Sequence, residues 1–224
     1  MAVIVVAASK GGVGKTTLSA CLTVSALKKG YQVAIVDLDG HLEGLGSFSR
    51  WYQLREQNGG DLPHLQPAMR YPDEELQEAI ASGADYVIVD TPPGNMARAK
   101  EALEVADLVV IPVRPSPIDV MNMDAIVDAA EAYQKPFVFV MNATKAKSKM
   151  AEGARKYLGH YGEVLKGEVG DRVSYASGFL KGMVGHEVES KGPIIEEMKN
   201  LWRAVEGRVK RKAKRQVRER KGAA

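Results

Sequence analysis

The chain has 224 residues, 45% hydrophobic and 26% charged, which is ordinary globular material and enough for one domain that buries well over half of its unfolded surface. Its longest apolar runs, 3–8, 108–113 and 137–141, are of strand length and far short of the roughly 20 residues a membrane helix needs, and its single cysteine, Cys21, excludes an internal disulfide and suits a reducing compartment. The net charge is only +3, yet ten Lys/Arg against Glu206 and Glu219 concentrate a local excess of eight between Arg203 and Lys221, leaving about −5 for the rest. That asymmetry asks for an anionic partner.

In chain order, the residues after Met1 form an apolar β-branched run with no basic flank before it, which reads as a first strand rather than a signal peptide. Apolar runs rich in Val and Ile then alternate with helix-like stretches: 2–8 with 15–29, 32–36 with 42–57, 85–90 with 95–104, 107–113 with 118–133, and 136–141 with 146–158. Continuously apolar strands alternating with helices predict an α/β fold, a doubly wound, mostly parallel sheet with helices on both faces. The 59–72 stretch reads as a loop. From Pro193 onward the pattern is one long helix that turns almost wholly polar after Trp202, dividing the chain into a domain over 1–206 and a basic tail over 207–224. In such sheets ligands bind beyond the carboxyl ends of the strands. The chemically suggestive residues fall there: Ser9 to Thr17, Asp37 to His41, Asp90 to Asn95, Arg114 to Asp119, and Asn142.

Ser9-Lys10-Gly11-Gly12-Val13-Gly14-Lys15-Thr16-Thr17 follows a strand and opens a helix, the context a phosphate-binding loop requires. Gly11, Gly12 and Gly14, with Val13 between them, let successive backbone N–H groups face phosphate oxygens. The helix N-terminus adds its partial positive charge. Lys15 then suits the β- and γ-phosphates, the Thr16 hydroxyl a Mg²⁺ ion, and Thr17 the α-phosphate of ATP. Ser9 stands where the strict pattern has glycine. The segment KGGVGKTT resembles the deviant Walker A loop of the ParA/MinD ATPases, which carries an extra lysine, here Lys10, before the glycines. The resemblance implies a slow, partner-stimulated ATPase that forms an ATP-dependent sandwich homodimer, with Lys10 crossing to the other subunit's nucleotide.

Further segments extend the resemblance. Asp37-Leu38-Asp39-Gly40-His41 matches the family's Asp-x-Asp-Pro-Gln switch, except that Gly40 and His41 remove its proline restraint. By position Asp39 is implied in orienting the attacking water and Mg²⁺, with Asp37 supporting; either aspartate also suits a helix N-cap. Asp90-Thr91-Pro92-Pro93-Gly94, ending an apolar run, is similar to the Walker B segment and second switch, which implies Asp90 at the metal and the Gly94 N–H at the γ-phosphate. Pro115-Ser116-Pro117-Ile118-Asp119 resembles an element near the dimer face of small ParA proteins. Asn142 matches a position that contacts adenine, and equally suits a strand-end turn. Arg172 and Lys181 match a stretch in which basic residues touch DNA in some relatives, and equally read as solvated charge.

In the tail, Lys210, Arg211, Lys212, Lys214, Arg215 and Arg218 fall on all sides of the predicted helix, with only Val209, Ala213 and Val217 recurring every four residues. A membrane-surface helix needs a wide face of large apolar residues, so the composition favours nonspecific DNA over a membrane; a disordered solubilising tail is the plain alternative. No histidine has metal-ligand spacing with another candidate ligand. Together these readings predict a cytoplasmic, nucleoid-associated partition or cargo-positioning ATPase with a ParB-like or cargo-adaptor partner. A membrane-associated positioning ATPase and a conjugation- or organelle-positioning relative are the rivals.

Overall fold

A computed structural model describes the backbone of residues 1–39, 46–63, 72–94 and 96–222, and the side chains of these except at 72, 73, 75, 96 and 214–222. The elements run β1 (Ala2–Val6), α1 (Lys15–Leu27), β2 (Val33–Asp37), α2 (Ser47–Gln57), α3 (Pro72–Ala81), β3 (Tyr86–Asp90), α4 (Met96–Val105), β4 (Leu108–Val113), α5 (Pro117–Met121) and α6 (Asp124–Ala132). They continue with β5 (Phe137–Thr144), α7 (Lys149–Leu158), β6 (Glu163–Gly170), α8 (Val173–Phe179), α9 (Gly185–Val188) and α10 (Pro193–Gly222).

The strand order is β2-β3-β1-β4-β5-β6, and every pairing is parallel. The doubly wound expectation holds. Successive side chains of a strand point to opposite faces, and β1 shows the consequence. Ile4 and Val6 pack in a layer with Leu18, Leu22, Phe48, Trp51 and Trp202, whereas Val3 and Val5 pack with Leu76, Leu103, Ile126 and Leu158. Helices α1, α2 and α10 thus cover one face, and α3, α4, α6 and α7 the other. All five β1 residues are buried, at roughly 1.5–3 kcal/mol for each large aliphatic side chain.

β1 lies at the centre of the sheet with β3 on one side and β4 on the other, so the strand order reverses there. The loop after β1 opens into the crevice where binding sites form in such sheets.

Several elements depart from the sequence pattern. β6 was hidden because it is a half-exposed edge strand, EVLKGEVG, whose buried positions alternate with charged ones. Its pairing with β5 also shifts register twice. The helix expected over 118–133 is two helices, α5 and α6, because the chain turns at Asn122 and Met123. α3 occupies Pro72–Ala81, where no element was expected. α10, by contrast, is the one long helix expected from Pro193 onward, and it still packs at Val209, which is 7% exposed.

Arg55 of α2 is buried, yet its guanidinium donates to both Glu187 carboxylate oxygens (2.9 and 3.0 Å) and to the carbonyls of Gly182 (3.0 Å) and Asp61 (2.6 Å). The fork satisfies a charge that would otherwise be costly to bury. Gly182, at φ +66°, passes so close that a Cβ there would lie 2.0 Å from the Arg55 backbone nitrogen. This joint fastens α2 to the α8–α9 corner.

Candidate nucleotide site

Beyond the carboxyl ends of β1, β2 and β3 lies a cavity of about 540 Å³, within the size range of small-molecule sites, whose lining includes Gly12, Gly14, Lys15, Thr16, Thr17 and Asp39. The loop reaches it in a tight turn, with Gly12 at φ +75° and Gly14 at φ +91°. Only glycine adopts such angles readily. At Gly14 a second constraint applies, since a Cβ would sit 2.1 Å from Asn142 Nδ2. That amide donates to the Val13 carbonyl at 2.6 Å. Asn142 thus ties the β5 end to the phosphate loop through one of its two amide N–H groups.

Lys15 is 6% exposed, and its Nζ donates to the Lys10 carbonyl at 3.1 Å. Burial holds its ammonium below the usual range, while Asp90 and Asp39 pull it back up. A cation curled onto its own loop in this way is ready to exchange a carbonyl for a phosphate oxygen. Thr16 Oγ1 donates to Asp90 Oδ2 at 2.7 Å, and Ser19 Oγ to Asp90 Oδ1 at 3.0 Å. Ser19, one helical turn after Thr16, is a partner that motif reading passed over. Burial, then the neighbouring Asp37, pushes the Asp90 carboxyl up to about 7, against the bonds from Thr16 and Ser19 and the charge of Lys15. A divalent cation at the Thr16 hydroxyl would favour the ionised form.

Hydroxyl and carboxylate oxygens are the donors Mg²⁺ takes. Among the described residues no group of three or more His, Cys, Asp or Glu gathers into a metal site. With the Thr16 hydroxyl on Asp90 and Asp39 at the cavity wall, the donors present would suit an ion that completes its shell with phosphate and water.

Asp37 is 1% exposed and does not line the cavity. Its carboxylate accepts from the backbone N–H of Asp39 (3.1 Å) and of Ser49 (2.7 Å). It clasps the strand end to the start of α2, and a Cβ on Gly46 would come within 2.3 Å of it. Asp39 remains at the cavity wall. Gly40 and His41 lie outside the described residues. Gly94, at φ +69°, is exposed at the rim beyond β3.

Lys10 is the one loop cation aimed away from the cavity floor, with its side chain 45% exposed and its Nζ donating to Asp119 Oδ1 at 2.9 Å. Ser116 Oγ donates to the other Asp119 oxygen at 2.7 Å. Burial pushes the Asp119 carboxyl up, but the bonds from Lys10 and Ser116 win and hold it below the usual carboxylate range. The far wall of the cavity is α8, through Tyr175, Ala176, Phe179 and Leu180. Tyr175 and Ala176 belong to the stretch that begins at Arg172, but nothing in the sequence signalled their place in a cavity wall with Phe179 and Leu180.

The candidate DNA-contacting residues divide. Arg172 pairs with Glu197 through two bonds, and Lys181 sits exposed at the α8–α9 turn. On α10, Lys210 pairs with Glu206 (2.8 Å) and Lys212 with Asp107 (2.8 Å), while Arg211 Nε donates to the Gly207 carbonyl. The side chains of Lys214, Arg215 and Arg218 lie outside the described residues.

Comparison with known proteins agrees with this geometry. The chain is 27% identical over 195 residues to the maintenance of carboxysome distribution protein A of Halothiobacillus neapolitanus, covering 84% of this chain and 88% of that one. It is 29% identical over 205 residues to Protein ParA of Rhizobium radiobacter, covering 85% and 88%. The MinD structure in the MinC:MinD cell division protein complex of Aquifex aeolicus superposes with a TM-score of 0.73 at 21% identity, covering 92% of this chain and 96% of that one. The model of the CobQ/CobB/MinD/ParA nucleotide binding domain matches residues 4–184, and with its loop, carboxylates and strand order in place, the chain belongs to that family.

Proposed function

We propose that the protein is a ParA-type ATPase that positions or partitions a cargo, using ATP to form a homodimer that holds nonspecific DNA. The observation that carries this reading is the convergence on one cavity of a buried Lys15, the Thr16–Asp90 pair and Asp39. Lys15 and the loop N–H groups hold the phosphates of ATP. Thr16, Asp90 and Asp39 would hold Mg²⁺, which would supply charge neutralisation at the phosphates. Asp39 orients the attacking water. Arg114 lines the cavity beside Lys15, whereas Lys10 lies outside that lining, held by Asp119; once released, it reaches the phosphates bound by a second copy. A cation supplied across an interface couples occupancy to assembly. Hydrolysis is then slow until a ParB-like or cargo-bound partner acts.

The curated relatives support the biological class: one carries the name of a carboxysome distribution protein and one of a ParA. The basic α10 supports DNA as the track and a nucleoid-associated, cytoplasmic setting. The test is binding to a random-sequence duplex with ATP, ADP or no nucleotide at two salt concentrations, with molecular mass followed in parallel. Salt-sensitive binding and a doubled mass with ATP alone support the reading. Equal binding in all three states, or a monomer with ATP, overturns it.

A further inference from the structure

A second concavity, of about 890 Å³, opens at the other end of the sheet, with Lys135, Phe137, Glu163, Arg208, Arg211 and Lys212 in its wall. Lys135 and Phe137 lead into β5, Glu163 begins β6, and Leu108, which also lines it, begins β4. The hollow therefore lies at the amino ends of these strands, about 17–20 Å of strand away from the nucleotide rim.

Four cations and one carboxylate share this wall, and their pairing is incomplete. Arg208 pairs with Glu163, and Lys212 Nζ with Asp107 at 2.8 Å. Lys135 and Arg211 have no carboxylate partner among the described residues; each is bonded to backbone, Lys135 Nζ to the Glu104 carbonyl at 2.7 Å and Arg211 Nε to the Gly207 carbonyl at 3.0 Å. Arg208 Nε is buried with no partner. Burial, then the nearby Lys212, holds the Lys135 ammonium below its usual range against the pull of Asp107 and Glu104, and burial and Arg211 lower Arg208 likewise. Gathering like charges in a partly desolvated hollow is unfavourable unless an anion joins them. Lys135 reaches the hollow from the α6–β5 loop, far from α10 in sequence, so the cations are drawn from two parts of the fold.

We propose that this hollow seats backbone phosphates of a DNA strand, with Lys135 and Arg211 as the direct contacts. The inference rests on the DNA reading above and locates it in the folded domain. A strand of nucleic acid is favoured over a single small anion because α10 continues past the hollow as helix to Gly222. Its sequence adds Lys214, Arg215, Arg218, Arg220 and Lys221. From Arg208 to Lys221 the axis covers about 20 Å, the span of roughly six phosphates along one strand. A linear polyanion matches such a row; a compact anion would fill only the hollow.

The test uses the full chain with ATP and a random-sequence duplex, and measures affinity across a salt series for wild type, Lys135→Ala, Arg211→Ala, the double variant, and a tail variant with Lys214, Arg215 and Arg218 changed to Gln. Melting temperatures on the same samples show that each variant is folded. The log–log salt slope should shrink by about 0.9 for each lost phosphate contact, so the double variant should lose nearly two units. Unchanged slopes in Lys135→Ala and Arg211→Ala, with the loss confined to the tail variant, overturn the seat while leaving the DNA reading intact. Wild type that ignores DNA in every nucleotide state, or that binds vesicles of anionic phospholipid instead, overturns both.

Discussion

The two ends of the parallel sheet both collect cations, and they treat them in opposite ways. At the carboxyl rim the two loop lysines are each assigned: Lys15 is buried on a carbonyl between two aspartates, and Lys10 is held by an Asp119 that Ser116 in turn orients. At the amino end Lys135 and Arg211 are left without a carboxylate among the described residues. Pre-positioned charge suits a ligand of one size and one geometry. Loosely shared charge suits an extended anion bound in many equivalent registers.

That contrast is tested most severely by Lys15→Gln. ATP turnover should fall by about 100-fold or more, as when a preorganised charge donor is removed, and the ATP-dependent doubling of mass should be lost with it. Turnover assays with ATP and Mg²⁺ check it.

The next effect concerns the wall that supports the rim. His186 of α9 is 7% exposed with neither ring nitrogen partnered. Burial, then Lys28, lowers it to about 4. Its folded-state value lies below the unfolded one, so the unfolded chain binds the extra proton first. The stability contributed by a neutral His186 is complete above about pH 6.5 and is lost as pH falls toward 4, by about 3 kcal/mol in total. Urea titrations between pH 4 and 7 should show that slope in wild type and a shallower one in His186→Leu.

Gly14→Ala sharpens the geometry of the loop. The left-handed angle alone costs about 1–2 kcal/mol, and the methyl must also displace Asn142. Nucleotide affinity should drop measurably by calorimetry. Adding Asn142→Ala should relieve the collision and leave the backbone strain, so recovery is partial.

The smallest effects should come from two partly exposed pairs. Asp119→Ala and Lys212→Ala each remove a surface ion pair and should shift stability by less than about 1 kcal/mol. Their functional signatures separate the two ends. Asp119→Ala should change the ATP concentration at which mass doubles, and Lys212→Ala should change only the DNA salt slope.

Much of the rim was legible in the residues, because a phosphate loop is built from consecutive positions whose glycines, lysine and threonines each have a backbone or charge requirement. What escaped was set by contacts distant in sequence. Asp37 fits both a ligand and a cap on paper, and only the fold shows it clasping Asp39 and Ser49. Asn142 suits a base contact or a strand-end turn by position, and only the fold shows its amide tied to Val13. The basic hollow was half visible: α10 announced itself by charge, but Lys135 gave no signal until β5 brought it beside Lys212. β6 escaped because an edge strand is patterned for one dry face, and the long apolar runs of the inner strands set the wrong template.

That same edge strand carries a further consequence. Its polar positions Glu163, Lys166 and Glu168 are interspersed along the strand, and its two register irregularities interrupt a regular ladder. Charges and bulges on an outer strand discourage a neighbour's strand from adding to it. At high local concentration the β6 edge is thereby kept from recruiting a second copy's strand, so that crowding at this edge does not become aggregation.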